Sequence, residues 1–254
     1  MFKAFRILIL LLILIGVAFG TWRTKTRSVE WKYELPVNMY LVNGDGSEAV
    51  DRYLSGLTVD DFKPIKRFMR DEADRYGRSS SASIDIRLGG IIATRPPAPP
   101  RNGSALDAIL WSLKMRWWSY RNGKTTGPGP QVKMFLLYFD PAQTDLMDHS
   151  TGLQKGLIGR VNLFAARDMA RQNNVIITHE FLHTLGATDK YDPATNLPVY
   201  PDGYANPDQQ PAEPQSFAEI MAGRIPVSQT SATIPESLNE VLIGSLTARE
   251  INWQ

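Results

Sequence analysis

Apolar positions divide the chain into segments of different period. Ile7–Gly20 reads ILILLLILIGVAFG without a polar break. Val37–Val42 (VNMYLV) reads as a strand, closed by the turn residues Asn43-Gly44-Asp45-Gly46. Phe62, Ile65, Met69 and Ala73 recur at helical spacing, which predicts a helix capped by Thr58 or Asp61 and running to about Tyr76. Pro64 favours the later start, since proline is tolerated in a first turn. Ser83–Leu88 alternates as a strand and should end at Gly89-Gly90. After the extended Arg95–Pro100 loop, Ser104 caps a helix to about Tyr120 that carries Leu106, Ile109, Leu110, Leu113 and Trp117. Trp111, Trp117 and Trp118 on it suggest either core packing or a membrane-facing patch. Val132–Phe139 and Leu157–Phe164 are strands, the segment from Val175 to Leu185 is a buried helix, and a last helix is expected near Ile234–Ile251. This order predicts an α/β fold: a mixed twisted sheet with a helix packed on it.

The N-terminal run changes the picture from a free domain to a targeted one. A bilayer core takes about 20 apolar residues as helix, a signal-peptide core about 7–15, and this run lies between them. Lys3 and Arg6 precede it, while Arg23, Lys25 and Arg27 follow. Ala18-Phe19-Gly20 offers a cleavage site, yet Trp22 and the basic cluster suit an uncleaved anchor. Residues 1–27 are therefore read as a membrane anchor or signal segment, 28–35 as linker and 36–254 as one exported domain, periplasmic or extracellular. Cleavage would leave it secreted. A net charge of +2, with scattered basic residues, gives no reason to expect nucleic acid. With no cysteine, disulfides, thiolate metal sites and cysteine nucleophiles are excluded.

The chain has three histidines, His149, His179 and His183. The last two stand four apart on a helix, on one face, where both imidazoles can reach one metal ion. Glu180 follows the first and can sit beside the metal as a general base towards water, while zinc acts as Lewis acid. A bare His-Glu-x-x-His arises by chance roughly once in a hundred chains of this size, so more is needed. Gly186 can end the helix in a left-handed turn and bring Asp189 back to the metal, giving three protein ligands and one base. Asp192 and Glu219 are alternative third ligands. His149 reads as a loop histidine. Asp192, Asp202 and Asp208 offer oxygens for a structural calcium ion in the long loop of residues 190–215, although turn formation accounts for all three.

The pattern His179-Glu180-x-x-His183-x-x-Gly186-x-x-Asp189 resembles the extended zinc signature of the metzincin clan of metallopeptidases, with aspartate in place of the usual third histidine. Over about 15 residues it is similar to snapalysin-type and immune-inhibitor-A-type secreted bacterial proteases. The resemblance implies a zincin-like fold and zinc-dependent hydrolysis of peptide bonds. It also implies a methionine turn beneath the metal, here Ala218–Gly223 with Met221. Many members carry a tyrosine two residues after that methionine to bind the oxyanion. Gly223 stands there, which leaves the role to Tyr191, Tyr204 or Arg224. The last strand before the metal helix, Leu157–Phe164, is expected at a sheet edge that pairs with extended substrate. Two other readings stay open: a metal-bound but non-proteolytic membrane-tethered binding module, and a zinc amidase acting on a cell-wall amide.

Overall fold

The computed structural model describes residues 28–78, 83–100, 104–125, 131–143, 150–153 and 156–254. The expected N-terminal anchor and His149 lie outside the described residues. Strands β1 (Leu35–Asn43), β2 (Ile84–Ile92), β3 (Val132–Phe139), β4 (Thr151–Leu153) and β5 (Ile158–Phe164) form one mixed sheet in the order β2-β1-β3-β5-β4. All pairings are parallel except β4 with β5. The parallel pairs need crossovers, and helices supply them. Between β1 and β2 come α1 (Glu48–Ser55) and α2 (Lys63–Arg75), and between β2 and β3 comes α3 (Ala105–Asn122). Helix α4 (Ala170–Leu185) follows β5, and α5 (Ser245–Glu250) closes the chain. Two small sheets in the C-terminal part pair β6 (Ala218–Glu219) with β9 (Val241–Leu242), and β7 (Ile225–Ser228) with β8 (Ser231–Thr233).

Alternation along the strands sends side chains to two layers. Val37, Met39, Leu41, Met134, Leu136, Val161 and Leu163 face a core shared with α2, α4 and the C-terminal segment. Tyr40, Val42, Phe135, Leu137 and Ile158 face the other way, onto Trp111 and Met115 of α3. Helices α4 and α3 thus cover opposite faces of the sheet. No helix among the described residues is long and apolar enough to cross a membrane.

Several boundaries differ from those expected. Helix α1 was not anticipated; Ser47 caps it by accepting from Val50 N at 3.3 Å, and Val50 and Leu54 are its buried residues. Strand β2 does not stop at Gly89-Gly90 but bulges there, where the register slips between Met39 and Tyr40. A Cβ at Gly89 would strike the Tyr40 ring, so glycine allows the two strands to approach. The expected helix over Ile234–Ile251 is broken into β9, a 3-10 turn at Leu238–Glu240 and the six-residue α5. Ser237 caps the turn and Gly244 is the N-cap of α5, so the start signals fall inside the expected helix. Strand β5 is internal, between β3 and β4; the edge strand beside α4 is β4.

Candidate metal centre

Helix α4 is anchored by its apolar residues, with Val175, Ile177, Phe181, Leu182 and Leu185 buried. Asn173 ties its start to β5, donating to Phe164 O at 2.9 Å. Thr178 in its middle and Thr184 in its last turn, both buried, return their hydroxyls to the carbonyls of Asn174 and Phe181. Its far end is set by Gly186, in the left-handed region at φ 118°, whose N–H reaches Leu182 O and His183 O. Ala187 N–H also returns to Leu182 O at 3.1 Å. This turn reverses the chain and places Asp189 against the helix, as Gly186 predicts.

The three donors converge. Asp189 Oδ1 lies 3.2 Å from His179 Nε2 and 3.1 Å from His183 Nε2, and the two Nε2 atoms are 3.1 Å apart. Glu180 is buried, and His179, Glu180 and His183 offer ligand atoms within 4.8 Å of one another. The ring orientation follows from two backbone carbonyls that sequence reasoning missed. His179 Nδ1 lies 2.9 Å from Ile220 O, and His183 Nδ1 lies 2.8 Å from Ala187 O. A carbonyl can only accept, so each Nδ1 carries the proton and each Nε2 keeps its lone pair for the shared point.

Three lone-pair atoms at such spacing repel unless a cation sits among them. Metal bonds of about 2.0–2.1 Å at tetrahedral angles separate ligand atoms by about 3.3 Å, close to the spacings here. The donor set therefore fits a zinc ion held by His179, His183 and Asp189. Without metal, a proton takes the place. Burial pushes the His179 imidazolium down, but the Asp189 hydrogen bond, the Glu180 charge and the Ile220 carbonyl outweigh it, raising the pKa to about 9. Burial works to raise the Asp189 carboxyl, yet the bonds from His179 and His183 hold it well below the usual carboxylate range. Metal binding must displace such protons.

The other expected site residues separate clearly. Met221 is fully buried, in the core that includes Phe181, Leu182 and Leu185, within a turn where Ala222 and Gly223 N–H return to Glu219 O. Glu219 is not a ligand candidate. Its Oε2 accepts from Met221 N (2.6 Å) and Ala222 N (3.1 Å), and its Oε1 from Gly244 N (3.0 Å) and Thr247 Oγ1 (2.7 Å). That carboxylate is committed to the turn. Asp192 is exposed and accepts from Ala194 N in its own turn, so it does not reach the metal point either. Asp202 and Asp208 are exposed, and among the described residues the three aspartates form no group that could hold calcium.

Of the three oxyanion candidates, Tyr204 donates to Glu213 Oε1 at 2.6 Å and is thereby engaged elsewhere. Burial, then the charges of Asp189 and Glu180, push the Tyr191 phenol up, so Tyr191 is within electrostatic reach of both site carboxylates. Arg224 is half-buried, and nothing ties it to the site. Strand β4, also missed because three residues carry no periodicity, lies across the metal helix. A Cβ at Gly152 would collide with His183 Cβ and come within 2.8 Å of Glu180 O. Glycine is what lets the edge strand lie this close. A separate cavity of about 560 Å³ lies between α2 and the C-terminal segment, and none of the three donors or Glu180 lines it.

No family model and no curated protein matches the chain. A solved structure, wild-type OgpA from Akkermansia muciniphila, is similar at a TM-score of 0.36 and 11% identity. The match covers 85% of this chain and 59% of that one, so the chain spans less than two thirds of its length.

Proposed function

We propose that the chain is a membrane-targeted, zinc-dependent metallopeptidase of metzincin type. One observation carries this reading: the triangle of His179 Nε2, His183 Nε2 and Asp189 Oδ1, with the buried Glu180 beside it. His179, His183 and Asp189 would hold zinc, which would supply Lewis acidity for a scissile carbonyl and for water whose pKa it would lower towards about 7. Glu180 takes the proton of the attacking water and passes it to the leaving amine. Tyr191 donates its phenolic hydrogen to the oxyanion that develops on the carbonyl.

Strand β4 supports a peptide over a branched cell-wall amide. Among the described residues it is the edge strand of the sheet, paired with β5 alone, and it lies over His183 and Glu180. An extended peptide added to it would run past the metal point with its backbone held and little demand on its side chains. The expected substrate is therefore an extended protein segment. The apolar run Ile7–Gly20 supports placement of the domain at the outer surface of a membrane, by anchor or before cleavage.

The test is bound-metal analysis and peptide hydrolysis by the full chain and by Glu180→Gln. The variant should retain zinc and lose about 10²–10⁴-fold in turnover, the usual span for a general base. Equal turnover would overturn the mechanism. Full zinc occupancy with no cleavage of a broad peptide library would support the tethered binding module instead.

A further inference from the structure

Helix α3 is apolar on two faces. One face is spent on the sheet, where Trp111 and Met115 are buried and Trp118 meets Phe135 edge-on at 4.8 Å. The opposite face carries Leu106, Ile109, Leu110, Leu113, Trp117 and Tyr120, exposed by 63, 57, 48, 57, 62 and 76%. At about 3.6 residues per turn, these six fall within about 60° of one line along the helix. They form a continuous stripe, unlike scattered surface apolar residues. Basic residues border it. Lys114 and Arg121 lie on one flank, with the Arg121 guanidinium 5.9 Å from the Trp117 ring centre, and the half-buried Arg116 lies on the other. The one acidic residue of the helix, Asp107, is turned to its own N-cap, Ser104.

We propose that this stripe docks on an anionic lipid bilayer, the helix lying in the membrane interface. Apolar residues in the middle, a tryptophan and a tyrosine towards one end and basic residues along the margins are what such an interface selects. The flanking charge is of the sign that meets acidic headgroups. Reach agrees as well. If Ile7–Gly20 sits in the bilayer, the eight residues from Gly20 to Ser28 span at most about 30 Å, which keeps the domain against the surface. This last point rests on the anchor reading above; the stripe itself does not. The consequence concerns substrate. Because α3 and α4 cover opposite faces of the sheet, a bilayer on α3 leaves the metal point turned away from lipid. The substrate is then a protein segment in the aqueous phase, not one embedded in the membrane.

The absence of cysteine makes the test direct. Single cysteines replace Leu113 on the stripe and, in a second full-length chain, Lys66 on α2, and each is labelled with an environment-sensitive fluorophore. Both chains are reconstituted in vesicles of phosphatidylcholine with phosphatidylglycerol and in vesicles of phosphatidylcholine alone. Vesicle association after alkaline wash reads the anchor separately. In anionic vesicles the label at 113 should be blue-shifted, quenched by nitroxide-bearing lipid and shielded from iodide, while the label at 66 stays open to iodide. Basic residues near an anionic surface change affinity roughly fivefold each, so Lys114→Glu with Arg121→Glu should lower the docking equilibrium constant by at least about 25-fold. Equal iodide quenching at both positions, with the chain still anchored, would overturn the docking and leave the anchor intact. Chains that wash off and show no lipid quenching would overturn both. Shielding without nitroxide quenching would also overturn it. In that case a second copy or the chain's own N-terminal segment covers the stripe, and dependence on protein concentration tells the two apart.

Discussion

Glu219 shows how much of this site depends on a side chain that does not touch it. Three of the groups it accepts from are backbone N–H, which can only donate, so the pocket suits a carboxylate although burial pushes its pKa upward. The turn it holds presents Ile220 O to His179 Nδ1 and Met221 O to Lys190 N. In Glu219→Gln an amide N–H₂ must face donors on one side. The loss should be about 2–4 kcal/mol in urea unfolding, from one or two unsatisfied buried groups. Metal affinity should fall with it, since outer partners of ligating histidines are worth about 10–100-fold. Asp189→Ala should cost more than that range, and zinc titration of the two variants ranks them. An unchanged affinity in Asp189→Ala would show that the third ligand is another group. His179, His183 and Asp189 were legible in the sequence because helical spacing and Gly186 fix them locally. Glu219 was not, because its partners Gly244 and Thr247 are brought to it only by tertiary packing. The same holds for the carbonyls of Ala187 and Ile220, which every residue possesses and no motif marks.

Among the elements, the long periodic ones were read correctly from the sequence and the short ones were not. Strands β1 and β3 and helices α2 and α4 each bury enough apolar residues to be seen, whereas α3 was visible through a periodic apolar stripe that the structure leaves exposed. Three-residue β4 and six-residue α5 have none to show, yet both bear on the site. Helix α5 acts through Glu250, which accepts from Thr188 N (3.0 Å), Thr188 Oγ1 (2.6 Å) and Lys190 Nζ (2.7 Å). Thr188 and Lys190 flank Asp189, so this carboxylate clamps the ligand loop to the end of the chain. Burial raises the Glu250 carboxyl, but the bonds from Lys190 and Thr188 more than offset it and the pKa falls below its ordinary 4.5. A folded-state pKa lower than the unfolded one stabilises the fold above 4.5, and that stability is lost as pH falls through the folded value. Urea midpoints measured from pH 6 down to 3 should therefore drop less steeply in Glu250→Gln than in the parent. The variant should also bind metal roughly tenfold more weakly, the low end for an outer partner. Parallel acid limbs would show that the clamp carries no such linkage.

For the whole molecule, the proposed zinc ion adds a further link between parts of the chain that packing, hydrogen bonds and the Lys190–Glu250 ion pair already hold together. Two donors belong to α4 and the third to the loop that follows. That loop is bonded to the 219–223 turn through Lys190 N and to α5 through Glu250. An unfolded chain offers no such triangle, so metal bound to the folded state alone adds its binding free energy to stability. Free zinc at about a thousand times its dissociation constant contributes about 4 kcal/mol. A domain of this size gains about 2–4 °C in Tm per kcal/mol, so chelation should lower the melting temperature by about 8–16 °C. The variants separate binding from catalysis. Glu180→Gln should keep the full chelator-sensitive shift, because the glutamate is beside the metal and not a ligand to it. Asp189→Ala should lose most of it, and its metal-free melting point should lie below that of the chelated parent, because the bonds from His179 and His183 to the carboxylate are lost as well. A parent chain with the same Tm in zinc and in chelator would mean that the triangle holds no metal, and the peptidase reading would fall with it.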